Sequence, residues 1–138
     1  MSLKYLLDTN VVSEPLRPKP HHGVLRKLRL HEDEIAIPSI VWHELRYGAE
    51  RLPASRRRVA IERYLDDVVG ATIPILDYDR DAAEWHAGER ARLAALGDTP
   101  PFADGQIAAV AYVNELVIVT FNDADFQRFE GILLLTWR

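Results

Sequence analysis

Lys4-Tyr5-Leu6-Leu7-Asp8-Thr9-Asn10 is the stretch whose reading decides the fold. An apolar run that stops abruptly at a carboxylate, a hydroxyl and an amide reads as a buried strand delivering polar groups at its C-terminal end. In an open α/β sheet that edge is where ligands bind. A carboxylate beside a buried strand is costly unless a cation, a hydrogen-bond donor or open solvent faces it. Asp8 is therefore expected to face a divalent metal, shared with acids that arrive later in the chain.

Outward from that strand, the pattern alternates between strands and helices. A short helix over Asn10 to Leu16 is curtailed by Pro15, Pro18 and Pro20. Val24 to Leu30 is an amphipathic helix with a basic outer face. Ile35 to Ile37 is a second strand, closed by Pro38, and Ser39 is the expected N-cap of a helix that carries Glu44 and runs through Gly48. Ser55 caps a helix from Arg56 to Val69 that Gly70 is expected to end. Thr72 to Leu76 reads as an edge strand because of Pro74. Asp79 or Asp81 caps a helix that spans Ala83 to Leu96 and closes at Gly97. After the Pro100-Pro101 loop, an alanine-rich and largely buried helix spans Ala103 to Asn114.

Leu116-Val117-Ile118-Val119-Thr120 has the composition of a central parallel strand, and Ile132 to Leu135 makes the last one. Such alternation implies right-handed βαβ units around a mainly parallel sheet. With 138 residues, 48% of them hydrophobic, and no internal repeat or linker, a single domain over residues 1-138 is expected.

Composition narrows the chemistry. The chain has no cysteine, which excludes disulfides, thiolate metal sites and cysteine nucleophiles, so any metal must be held by oxygen or imidazole. The net charge of -4 argues against a general electrostatic nucleic-acid binder, though a local basic groove remains compatible with it. Of 17 basic residues only Lys4, Lys19 and Lys27 are lysine. A phosphoaspartyl enzyme or receiver domain needs a lysine further on, so that reading fails. No apolar run approaches the roughly 20 residues of a membrane span, and no signal-peptide pattern opens the chain; a cytoplasmic protein with no membrane association is expected.

Three acids share one structural situation. Asp8 ends a strand, Asp104 opens a helix after a Pro-Pro loop, and Asp125 follows a strand by a few residues; Glu44, on the helix after the second strand, can face the same edge. Taken singly, each aspartate serves as well as a cap and Glu44 as a solvated helix face. Taken together they repel one another and call for a cation. Hard oxygen donors select Mg²⁺, with Mn²⁺ as the alternative, and a metal-bound water is a nucleophile for a phosphodiester. Asp123 competes with Asp125 for the fourth place, and Asp125 is preferred. Thr9, Asn10, Thr120 and Asn122 are of the type that orients carboxylates or water. Other motifs fail. His43-Glu44 lacks the second histidine of a zinc protease, since Tyr47 stands there. Asp77, Asp79 and Asp81 open like a calcium loop but meet Ala82 and Gly88 where glycine and glutamate are needed. His21, His22, His31 and His86 read as surface or packing residues.

With those acids in hand, the chain resembles the PIN-domain ribonuclease toxins of prokaryotic VapBC toxin-antitoxin pairs. The segments that carry the likeness are Leu6 to Glu14, His43-Glu44-Leu45-Arg46-Tyr47-Gly48, Ala103 to Ala109 and Thr120 to Phe126, in order and across essentially the whole chain. The resemblance implies a three-layer α/β/α PIN-like domain and Mg²⁺ or Mn²⁺ held mainly by Asp8 and Asp104, with Glu44 and Asp125 completing the acidic site. It implies an endoribonuclease acting on single-stranded or looped RNA, a cognate antitoxin as partner, a homodimer, and contact with DNA only through the antitoxin complex. Arg46, Arg51 and the cluster Arg56 to Arg58 become candidates to hold phosphates. Phe121 stands where the family often has arginine. The alternative is a regulatory or nucleic-acid-binding module that keeps the fold and acts through a partner complex.

Overall fold

The computed structural model describes residues 2–138. Its centre is a five-stranded sheet in the order β3-β2-β1-β4-β5, formed by β1 (Tyr5–Leu7), β2 (Ile35–Pro38), β3 (Ile75–Leu76), β4 (Val117–Val119) and β5 (Leu134–Leu135). Every neighbouring pair is parallel, so the mainly parallel sheet expected from the alternation is parallel throughout. Leu6 faces Ala36 on one side and Ile118 on the other, and Leu6, Leu7, Ile118 and Val119 have no solvent exposure. This two-sided burial explains why β1 and β4 are continuous apolar runs.

Strand order grows leftward from β1 through β2 to β3 and then jumps back to β4. With right-handed crossovers, that reversal puts the helices of the first two connections and those of the third on opposite faces, giving the α/β/α layering. The crevice where the direction switches lies at the C-terminal ends of β1 and β4. Asp8 is one residue beyond β1 and Thr120 one residue beyond β4.

The helices that frame this edge are α1 (Thr9–Val12), α2 (His22–Leu30), α3 (Ser39–Glu50), α4 (Arg56–Tyr64), α5 (Gly70–Thr72), α6 (Arg80–Ala95) and α7 (Phe102–Val113). Ser55 and Asp79 cap as expected, accepting from the backbone N–H of Arg58 and Ala82. Three expectations need correcting. The cap of α3 is Pro38, not Ser39, and no side chain serves it. His21 does more than pack, because its Nδ1 accepts the Val24 N–H at 3.2 Å and so starts α2. Gly70 does not end the fourth helix: α4 widens into a π-turn over Leu65–Val69 and continues through α5. Pro74 lies just before β3, at the sheet edge, with its carbonyl accepting from Ile37 N at 3.0 Å.

α7 carries buried residues on most of its surface, from Gly105 through Ala111, and packs on α6. Gly105 is required there. A Cβ on it would lie 2.0 Å from Nε2 of His86, a buried ring on α6 whose Nδ1 bonds the Tyr78 hydroxyl at 2.8 Å. The chain end is anchored as well. Trp137 is buried and stacks on His31, while Arg138 reaches the fully buried Glu14 at 3.2 Å and lies 4.4 Å over the Phe121 ring.

Candidate active site

Asp8 is built into the site from two directions. As the N-cap of α1 it accepts the Thr9 N–H at 2.8 Å through Oδ1. Its Oδ2 accepts from the Thr120 hydroxyl at 2.9 Å, and that hydroxyl oxygen in turn accepts the Asn122 N–H at 3.0 Å. Thr120 is fully buried, so this relay ties the ends of β1 and β4 together below the surface. Burial pushes the Asp8 carboxyl above the ordinary aspartate range; the Thr120 and Thr9 donors pull it back, and the Asp125 charge pushes it up again.

The other acids arrive from separate elements. Glu44 lies on α3 and Asp104 in the first turn of α7. Asp125 ends the 3₁₀ turn Asp123–Asp125 that follows β4. Burial raises the Glu44 carboxyl, with the charges of Asp8 and Asp104 adding to the rise and His43 opposing it. Burial raises Asp104 too, followed by Asp125 and Asp8, with Arg128 opposing. Residues spaced over more than a hundred positions thus feel one another's charge at one sheet edge. Asp125, rather than Asp123, is the acid whose charge reaches Asp8 and Asp104.

Among the described residues no group of three Asp, Glu or His is drawn closely enough to ligate a cation as it stands. The donor set nonetheless fits a hard divalent cation, because it is all carboxylate and Asp8, Glu44 and Asp104 are each raised by burial and, in part, by neighbouring acids. An added positive charge would reverse that rise.

The polar residues around the acids divide. Thr120 is directly bonded to Asp8, and Asn122 contributes through its backbone N–H. Thr9 supplies its backbone N–H, while its hydroxyl oxygen is buried without a partner among the described residues. Asn10 is exposed. Arg46 is turned towards Asp66 at 2.8 Å and lies over the Trp42 ring. Arg128, which sequence reasoning did not single out, is the cation that acts on Asp104 while paired with Asp98 at 2.8 Å. Its position three residues after Asp125 was the only available hint. The apolar cleft lined by Val12, Leu25, Leu28, Tyr64, Val68 and Ile73 holds none of the four acids.

Comparison with known proteins places the whole chain in one family. A model of the PIN domain matches residues 5–132. The tRNA(fMet)-specific endonuclease VapC of Salmonella typhimurium is 36% identical over 137 residues, covering 98% of both chains. Among solved structures, a chain of FitAcB from Neisseria gonorrhoeae superposes with a TM-score of 0.88 at 29% identity, covering 96% of this chain and 97% of that one. A chain of DNA-bound VapBC from Salmonella typhimurium superposes with a TM-score of 0.86 at 32% identity over 99% of each.

Proposed function

The chain belongs to the PIN-domain family, among its VapC ribonucleases, and from that membership we propose that its acidic edge is a divalent-metal site for endonucleolytic cleavage of RNA. The observation that carries the proposal is the fixing of Asp8 at the joined ends of β1 and β4 by Thr120 and the Thr9 N–H, with Glu44 and Asp104 raised first by burial and then by the charge of neighbouring acids. Carboxylates raised by burial and by neighbouring negative charge are stabilised in their ionised form by a cation.

Asp8 and Asp104 are the principal ligands in this reading, with Glu44 and Asp125 completing the set, and Mg²⁺ or Mn²⁺ is the ion that an all-oxygen donor set selects. When bound, such an ion lowers the pKa of a coordinated water and takes up charge developing on the phosphodiester. The chain's own part is positional. Thr120 and the Thr9 N–H hold both oxygens of Asp8 in one orientation, and the buried β1–β4 ends give that carboxylate a rigid base. Glu44, whose residue is exposed although its carboxyl is partly covered, and Asp125 are the acids of the set most open to water.

The name of the Salmonella relative makes tRNA the first RNA to test. The VapBC and FitAcB neighbours support a role as the toxin of a toxin-antitoxin pair, with an antitoxin protein as partner and DNA met only through their complex. A homodimer belongs to the same reading, as does a cytoplasmic location; among the described residues no helix is long and apolar enough to cross a membrane.

Purified protein with Mg²⁺ should cleave RNA, and Asp8→Ala or Asp104→Ala should abolish cleavage. Undiminished cleavage in both variants would refute the assigned site.

A further inference from the structure

We propose that a shallow groove beside Glu44 on α3, bounded by Arg51 and Arg57, holds the RNA strand beside the cleaved bond, with the two guanidinium groups on its phosphates. The inference rests on the ribonuclease reading and adds the path the substrate takes. The groove has a volume of about 230 Å³; most of its lining is aliphatic, including Leu45, Leu52 and Ile61, and Glu44, Arg51 and Arg57 are its charged residues, set around that floor.

The arginines of this region are not equivalent. Arg46 is committed to Asp66 and Glu50. Arg58 is committed to Glu50, Glu62 and the Leu52 carbonyl. Arg51 and Arg57 have no carboxylate partner among the described residues, and both line the groove. An arginine without a counter-ion beside a nuclease centre has the charge and the planar donors that a phosphate requires. In a chain of net charge -4, such a local pair has to supply what the whole surface does not.

Two further features fit a nucleic-acid strand. Above Gly48 there is open space, since a Cβ there would meet nothing within 4 Å, so a backbone can lie close against the helix. One helical row over, the His43 and Tyr47 rings lie 6° from parallel at 6.3 Å. Tyr47 is 59% exposed, and Arg51 caps its ring at 5.8 Å. With His43 and Arg51 both against its ring, Tyr47 orients the Arg51 guanidinium beside the groove.

The test is anisotropy of a labelled single-stranded RNA oligonucleotide on the Asp8→Asn background, measured against salt, with cleavage kinetics on the otherwise wild-type chain. Arg51→Gln and Arg57→Gln should each weaken binding roughly tenfold and lower the slope of log K against log salt by about 0.7, raising KM and leaving kcat nearly unchanged. Gly48→Leu should weaken binding with the slope unchanged, and Tyr47→Leu should do so where Tyr47→Phe does not. Arg63→Gln, an arginine of α4 outside the groove, should have no effect. RNA cleavage with unchanged affinity and slope in both arginine variants would overturn the groove alone and leave it to a protein partner. A wild-type protein that neither binds nor cuts RNA would overturn the ribonuclease reading and this inference with it.

Discussion

Thr120→Val isolates the relay that fixes Asp8. The substitution keeps the shape and removes a hydroxyl that donates to Asp8 Oδ2 at 2.9 Å and accepts the Asn122 N–H at 3.0 Å. The first bond goes to a carboxylate and is worth about 1.5–3 kcal/mol. The second adds less, because Asn122 is exposed and its N–H can turn to water. Because Thr120 is fully buried, no water replaces its hydroxyl at Asp8. The expected loss is about 2–3 kcal/mol, which for a chain of this length lowers Tm by about 7–10 °C. The same hydroxyl pulls the Asp8 carboxyl down against its burial. Without it the carboxyl rises further, so the acid limb of the RNA-cleavage profile should move to higher pH. Thr120→Ser should restore both. Differential scanning fluorimetry and a pH–rate series on the three proteins decide the matter: a Val variant as stable as wild type, with its acid limb in place, would refute the relay.

Asp104→Asn should stabilise the metal-free protein near pH 7 while abolishing cleavage. The folded carboxyl is raised above its unfolded value; the folded state therefore binds the proton more tightly, and its charged form opposes folding. The stabilising effect of the variant should be full above the folded pKa and fade as pH falls through it to below the ordinary carboxylate range; equal denaturation midpoints at pH 7 would contradict it. At a Mg²⁺ concentration about 100 times its Kd, wild type should gain about 2.7 kcal/mol, and thermal melts of the Asn variant should show little of that gain. Gly105→Ala should cost about 1–3 kcal/mol by driving a Cβ into His86. Combined with His86→Ala, it should cost clearly less than the two single changes added, whereas strict additivity in urea melts would show that the two residues do not share that space.

What the sequence discloses and what it hides follow one physical line. β1 and β4 are legible because a strand buried on both faces must be apolar throughout, and the polar residues that stop it then have to stand at the sheet edge. The placement of the aspartates was legible from their boundaries: Asp8 directly follows β1, Asp104 stands in the first turn of α7, and Asp125 ends the turn after β4. Gly70 was misread because a glycine is only permissive. Here it is explained by close approach, since a Cβ would lie 3.0 Å from the Leu65 carbonyl oxygen and 3.1 Å from Trp42, and the helix runs on. Ser39 has the chemistry of a cap but sits one residue inside the helix. The arginines show the limit most clearly. Arg46 and Arg51 look alike in the sequence, and only folding brings Asp66 to the first while leaving the second without a carboxylate among the described residues. A side chain's own type announces what it could bind, but the partner that claims it comes from a distant segment. Residues left unclaimed after folding are therefore the ones whose function the structure adds to the sequence.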